Sequence, residues 1–458
     1  MDATFAALQE LIDRTAEDAG IPGAAVAVVH DGVERLFTTG VASVAAPAPV
    51  TIDTLFMTGS TTKTVTATTV LALVEEGRLD LDRPVADLLP ELRLSSSRAL
   101  AALTPRHLLT HTGGFEGDIA DDESDWSRAA LERSIAQYGE LPQYAPPGES
   151  FSYSNAGFRL LGRLLEVVDG DDYDIVVRRR VLEPLGMGSS LFLPWDVFSR
   201  PHVAGHEVGP DGASTVVHTW GLGRSALPEG GLVSSIADQA RYLRFHLDGT
   251  AAVSAPVSPE RRRLMQTAQA DAAVPFDAVG LPWLLVREYG TTAVTHGGNV
   301  AGIQRSTMTL VPDEGLGVTV LANSGAGGAL GAAVDEWCFR TLLGRVPDEP
   351  RAAVSQEPRE LAPYCGRFDA GTWGIDLIAD EGMLRATFFF TSPSDDEQRV
   401  LPPPLRLAFT GVRDEVVRPE APQTVFGRFE RGADGAVVRL KTQGRTLRRT
   451  ESPAGAQR

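Results

Sequence analysis

The sequence predicts a two-part chain of mixed class: a large α/β (α+β) domain over residues 1–346 and a small all-β domain over 361–450. Three observations lead there. Up to residue 346, runs with apolar residues at helical spacing alternate with short β-rich runs, so neither class alone accounts for the chain. From residue 364 to 449, short β-prone runs alternate with turn residues and nothing reads as a long helix, which favours a small antiparallel barrel or sandwich. Between the two, residues 347–358 are rich in Pro, Glu and Ala without periodicity; 347–360 reads as a linker and 451–458 as a tail.

The elements follow in order. Phe5, Leu8, Leu11 and Ile12 share one face of a helix over 3–19. Residues 23–30 and 34–39 are β-rich, and Asp31-Gly32 between them is a hairpin turn. A short extended run over 54–58 gives way to a helical pattern from Thr64, which Glu75-Glu76-Gly77 closes with a glycine cap. Residues 80–92 form a loop, 104–114 a short helix with Pro in its first turn, and 121–150 a polar, Pro-rich stretch before a helix over 158–168. Residues 185–285 are irregular around helices at 235–247 and 259–269, and loops of that length border sites. An extended run over 294–296 ends in Gly297-Gly298, two strands follow at 304–311 and 317–322, and a helix passes through Trp337 and Leu342. In the second part the β-prone runs are 374–378, 383–390, 405–410, 424–429 and 437–440.

Composition excludes several classes of function. At 458 residues with 43% hydrophobic and 22% charged content, the chain fills a core and remains soluble. A net charge of -18 argues against nucleic acid and against an anionic membrane as partners, since both require a basic footprint. The first residues carry neither a cationic start nor an apolar segment of leader length, and no run approaches a membrane span, so a cytoplasmic protein is expected. Cys338 and Cys365 have no metal spacing and make no disulfide framework. His107 and His111, at i and i+4, have zinc-like spacing, but the glutamate of a zincin pair and a nearby third ligand are missing, so a structural role is expected. No metal or cofactor is called for.

The chemistry starts at Gly59-Ser60-Thr61-Thr62-Lys63, where the extended run meets the helix. Residues three apart on a helix are neighbours, so Lys63 lies beside the Ser60 hydroxyl. A serine before a helix is also the commonest cap, and a Lys three residues on arises by chance. What favours chemistry is that the chain has two lysines, Lys63 and Lys441, among 42 basic residues. Arginine cannot release a proton to act as a base; a lysine can, once burial or a neighbouring cation lowers its pKa.

Tyr153 and Asn155 form a Tyr-x-Asn element at the entry of the next helix, and His296-Gly297-Gly298 closes an extended run. In this order, Ser-x-x-Lys, Tyr-x-Asn and a basic or His residue before glycine resemble the serine β-lactamase and penicillin-binding-protein superfamily over residues 8–345. The likeness is to the branch holding class C β-lactamases, D,D-peptidases, D-stereospecific aminopeptidases and related esterases. It implies a β-lactamase/transpeptidase-like domain: an antiparallel sheet flanked by helices, a helical subdomain beside it, and Ser60 at their junction. It further implies Ser60, Lys63, Tyr153 and His296 as catalytic residues and the backbone N–H groups of Ser60 and Asn299 as oxyanion hole. Tyr153 is expected to act as a phenolate, its pKa lowered by Lys63, that takes the serine proton. Asn155 is expected to bind Lys63 and a substrate carbonyl, and Gly297 and Gly298 to leave room for an extended acyl chain along the strand. The family's third element is often Lys-Thr-Gly; His-Gly-Gly here argues against a β-lactamase.

The trailing β-domain resembles the lipocalin-like appendage of D-aminopeptidase-like hydrolases and of penicillin-binding-protein-type thioesterases. The second group implies release of a nonribosomal peptidyl thioester with a D-configured C-terminal residue, delivered by a peptidyl carrier protein and cyclised to a macrolactam. A D-stereospecific peptidase, amidase or esterase, and a β-lactam receptor that stays acylated, remain open beside it. Arg439, Lys441, Arg445, Arg448 and Arg449 form a basic cluster, expected to be a solvated strand edge unless the barrel overhangs the cleft.

Overall fold

In space, the main sheet runs Val33–Gly40, Gly23–His30, Leu316–Ala322, Gln304–Val311, Thr291–Val300, Leu284–Glu288, Ala278–Val279, Ala270–Asp271, and its neighbours pair antiparallel. The computed structural model describes residues 3–119, 124–209, 212–390 and 403–450. Strand Gly23–His30 is apolar on both faces because both are covered. Ala24, Val26 and Val28 pack with Leu8, Ile12, Leu330 and Val334 of helices Ala3–Asp18 and Gly327–Thr341. Ala25, Ala27 and Val29 join the larger core that holds Val65, Leu71, Leu160, Leu164 and Leu243. No helix among the described residues is long and apolar enough to cross a membrane.

The helix that follows Ser60, Thr62–Glu75, runs through this core, and every residue from Thr62 to Leu73 is buried. Its threonines do not fight the core, because each hydroxyl finds a partner. Thr66 Oγ1 meets the Tyr173 hydroxyl and the Pro228 carbonyl, both at 2.7 Å, and Thr68 Oγ1 meets the Tyr242 hydroxyl at 2.9 Å.

Strand Thr291–Val300 is longer than its sequence suggests. It continues through Gly297 and Gly298, which pair with Thr307 and Ser306, so the glycines lie inside the strand and do not end it. On its other side it is paired only from Thr291 to Thr295, which leaves His296 to Asn299 as an open edge among the described residues. The helix expected from Phe158 starts at Asn155, capped by the Ser154 side chain, which accepts from the Gly157 N–H. The irregular middle holds the helices Ile236–Asp248 and Pro259–Met265, and adds a hairpin, Gly205–Val208 with Ser214–Val217, that short mixed-polarity runs did not announce.

The second part is a closed antiparallel barrel over Gly366–Asp369, Trp373–Asp380, Met383–Phe390, Leu405–Phe409, Glu415–Arg418, Ala421–Arg431, Val437–Thr442 and Arg445–Thr450. Phe368, Leu377, Leu384, Leu407, Leu440 and Leu447 fill it. Pairing of Phe368 with Arg449 closes the ring. The strands Gly366–Asp369, Glu415–Arg418 and Arg445–Thr450 are short and charged, so they escaped a reading by apolar runs. Residues 451–458, read as a tail, lie outside the described residues.

Candidate active site

Ser60 sits in a single 3-10 turn, Gly59–Thr61, ahead of its helix. Gly59 is required there twice over: its φ is +54°, and a Cβ would stand 2.8 Å from the Asn299 backbone nitrogen. The turn is fixed by hydroxyls. Thr62 Oγ1 donates to the Gly59 carbonyl at 2.7 Å and accepts from the Leu232 N–H at 3.0 Å, while Thr61 Oγ1 lies 2.5 Å from Ser306 Oγ. Ser60 itself is partly exposed. The approach of Asn299 to Gly59 sets the backbone of both expected oxyanion donors side by side, and the Asn299 side chain turns away to accept from the Gly302 N–H at 3.0 Å.

Lys63 has no exposed surface. Its Nζ donates to Asn155 Oδ1 at 2.8 Å, to the Glu229 carbonyl at 2.7 Å and to Ser60 Oγ at 3.1 Å. Burial lowers its pKa to about 7; Glu229 and Asp118 pull it up, and Arg445 and Arg159 pull it down. The three contacts dictate what the neutral amine does. Two of its partners, the Asn155 Oδ1 and a backbone carbonyl, can only accept, so the two hydrogens of –NH2 go to them. The lone pair is left for the Ser60 O–H, which is the geometry of a general base.

Tyr153 packs against this group: Lys63 Nζ lies 4.9 Å from its ring centroid, and His111 stacks on the ring at 4.3 Å. Burial pushes the phenol pKa up, although the Ser60 hydroxyl and Arg445 draw it the other way. Burial thus argues against the expected phenolate and favours a neutral phenol at Tyr153, while the hydrogen bonds of Lys63 suit it to the part of base.

His296 is brought to the same place, its ring 6.2 Å from that of Tyr153, but it is buried and joined by no hydrogen bond to Ser60, Lys63 or Tyr153 among the described residues. Its Nδ1 lies 2.9 Å from the Gly297 carbonyl, which places the proton on Nδ1, and burial beside Lys63 lowers its pKa to about 3. It is a neutral imidazole. Beside it Gly297 is exposed along the open strand edge, whereas Gly298 is buried. The histidine pair with zinc-like spacing is used locally: His107 Nδ1 accepts from the Thr104 N–H at 3.2 Å, and His111 Nδ1 from the Ser154 N–H at 3.0 Å.

Of the residues of this centre, Arg159, Glu229 and Asp118 escaped the sequence reading, and His111 and Arg445 were read in other roles. His111 carries the Tyr153 ring. Arg159 follows Asn155 by one helical turn and forms a buried pair with Glu229 at 2.8 Å, a spacing that was legible. Asp118 accepts from Asn155 Nδ2 at 2.8 Å and, on its other oxygen, from Arg445 at 2.6 Å. Nothing local marks Asp118, because both partners are distant in sequence. The expectation of a solvated basic edge is corrected as well: the closed barrel has no such edge, and Arg445 enters the catalytic centre. Its neighbours bind elsewhere, Arg439 to Glu149 at 2.5 Å and Lys441 to Glu430 at 2.7 Å.

Comparison with known proteins places this geometry. The family described as Beta-lactamase matches residues 8–336. The chain is 31% identical over 374 residues to penicillin-binding protein 4 of Amycolatopsis lactamdurans, covering 79% of this chain and 96% of that one. The crystal structure of SurE superposes with a TM-score of 0.77 at 29% identity, over 98% of this chain and 99% of that one, and a second SurE structure holds D-Leu. The D-amino acid amidase of Ochrobactrum anthropi SV3 shares the fold, with a TM-score of 0.63 at 22% identity over 74% of this chain and 99% of that one.

Proposed function

The chain belongs to the β-lactamase family of serine hydrolases, and on that premise we propose that it cyclises peptides: Ser60 takes the acyl group of a peptidyl thioester ending in a D-configured residue, and the peptide's own amine releases it as a macrolactam. The observation that supports this reading, through its D-configured residue, is the likeness to SurE over the whole chain, barrel included, together with the D-Leu that SurE binds.

Neutral Lys63 accepts the Ser60 proton as Oγ attacks the thioester carbonyl, and the oxyanion faces the N–H groups of Ser60 and Asn299. The C–S bond breaks, Lys63 returns its proton to the departing thiolate, and an ester remains on Ser60. The peptide's amine then attacks this ester, gives a proton to Lys63, and the C–O bond breaks as Ser60 Oγ takes that proton back. Tyr153 holds the Ser60 hydroxyl with its own neutral hydroxyl, and the acyl chain lies along the open edge at Gly297 and Gly298. A neutral His296 offers no cation for a free carboxylate, which favours a thioester, carried by a peptidyl carrier protein, over an acid-bearing β-lactam. Mass spectrometry of products from D- and L-terminated peptidyl thioesters, with Ser60→Ala as control, tests the proposal. Cyclic product from D-terminated substrates is expected. Linear acid alone would make the protein a D-stereospecific hydrolase, and a stoichiometric Ser60 adduct without turnover a receptor.

A further inference from the structure

The barrel reaches the catalytic lysine through a chain of hydrogen bonds. Its last hairpin turns at Gln443 and Gly444, both with positive φ (49° and 71°), the tight turn that suits twisted antiparallel strands. The tip is clamped to the main domain. The Gly444 carbonyl accepts from the Tyr153 N–H at 3.0 Å, the Gly444 N–H donates to the Val274 carbonyl at 2.8 Å, and Thr446 Oγ1 donates to the Phe151 carbonyl at 2.6 Å. From there Arg445 points inward, its guanidinium 5.6 Å from the centre of the Tyr153 ring and close enough to Gly117 that a Cβ on that residue would lie 2.5 Å from Nη1. It donates to Asp118, Asp118 accepts from Asn155, and Asn155 accepts from Lys63.

Each link has a sense. A carboxylate only accepts, so Asp118 forces the Nδ2 end of the Asn155 amide toward itself and the Oδ1 end toward Lys63. With the amide reversed, an amine and an NH2 would face each other, and Lys63 would lose the acceptor that keeps its lone pair on Ser60. Arg445 holds Asp118 in that pose, bound on the oxygen that Asn155 does not use. We propose that Arg445 and Asp118 are positioning residues, by which the barrel sets the Asn155 amide and, through it, the direction of the Lys63 lone pair. Arg445 is thereby committed to the protein and is not the free cation of a substrate subsite.

The charges around Lys63 give this a readout that simple bracing lacks. Glu229 with Arg159, and Asp118 with Arg445, form two ion pairs beside it; Ser60 and Asn155 are uncharged, Tyr153 is held neutral by its raised pKa, and His111 and His296 are neutral through burial. Removing one member of a pair leaves the other uncompensated, so Arg445 and Asp118 must move the lysine in opposite directions.

The proposal rests on Ser60 as the nucleophile, and the test separates the two. The first-turnover burst of the full-length protein with the p-nitrophenyl ester of an N-acylated D-residue is followed against pH. Arg445→Gln is expected to raise the midpoint by about half a unit, which at pH 6 is about threefold slower acylation. Asp118→Asn is expected to lower the midpoint by a similar amount while its plateau falls about tenfold as the amide loses its orientation. The double variant returns the midpoint toward the parent, and Arg445→Lys, which keeps the charge, leaves it in place. Midpoints that stay fixed or move together overturn the proposal, as does an Arg445→Gln protein whose KM alone changes. A burst that survives Ser60→Ala overturns the nucleophile reading and this one with it; a burst abolished by Ser60→Ala, with unmoved midpoints, overturns this one alone.

Discussion

Gly298 packs so closely on the turn before the nucleophile that a Cβ would lie 1.9 Å from the Thr58 carbonyl oxygen and 2.5 Å from Ser306 Oγ. Its neighbour Gly297 has room, the nearest atom to an added Cβ being the Ser306 carbonyl at 3.6 Å. Gly298→Ala is expected to push the strand from the Ser60 turn and reduce kcat/KM by about 100-fold or more, consistent with the sensitivity of catalysis to displacements of about 1 Å. Gly297→Ala should leave the thermal midpoint unchanged and act on KM alone. Steady-state kinetics beside thermal melts distinguishes the two.

Removing the base tests the lysine assignment. Lys63→Met preserves length and burial while deleting the amine, and acylation is expected to fall by about 10²- to 10⁴-fold, the usual span of general-base catalysis. Intact-mass measurement after a single mixing with ester should show the adduct disappear with Ser60→Ala and form slowly with Lys63→Met. Equal adduct formation in the parent and Lys63→Met would transfer the role of base to another group.

The pH profile carries a sign. Lys63 is protonated and inactive as a base below its pKa of about 7, so acylation should rise with pH and reach half its plateau there. Tyr153→Phe is expected to lower the plateau by about 10²-fold without moving that midpoint, because the phenol does not titrate in this range. A midpoint that shifts with Tyr153→Phe would restore the phenolate.

A stability prediction comes from the opposite face of the sheet. Asp335, on helix Gly327–Thr341, is half-buried with its carboxyl turned inward; Thr309 Oγ1 donates to its Oδ2 at 2.9 Å, and its Oδ1 has no partner among the described residues. Burial, with Glu288 adding to it and Thr309 opposing, raises its pKa from 3.8 to about 7. The folded carboxyl keeps its proton where the unfolded one has lost it, so its contribution is full below the unfolded pKa and is lost as pH rises through 7. Asp335→Asn should therefore gain on the parent by about 2–3 kcal/mol between pH 5 and pH 8 in denaturant titrations. A gap that does not change with pH would remove the assignment.

What the sequence disclosed, and what it hid, follows from the range of the interactions. Ser60 and Lys63 are one helical turn apart, and the near absence of lysine elsewhere made the pair conspicuous. Tyr153 and Asn155 were legible by their order after it. Asp118 and Arg445 were not, since each acquires meaning only when a barrel turn and a distant loop meet. The state of Tyr153 was not legible for the same reason: its pKa follows from burial among His111, Lys63 and the barrel turn, none of which is adjacent to it in the chain. The strand through Gly297 and Gly298 looked broken because glycine has no strand preference of its own, whereas the ladder to Ser306 and Thr307 holds it extended.

The free margin of strand Thr291–Val300 extends from His296 to Asn299, about 13 Å at strand rise. A backbone ruler of that length measures the residues next to the scissile carbonyl and then runs out. On the proposed cyclisation, everything farther back in the acyl donor lies beyond this main-chain register, so the circumference of a product ring would be decided by how the donor itself folds back, and one such catalyst would close rings of several sizes.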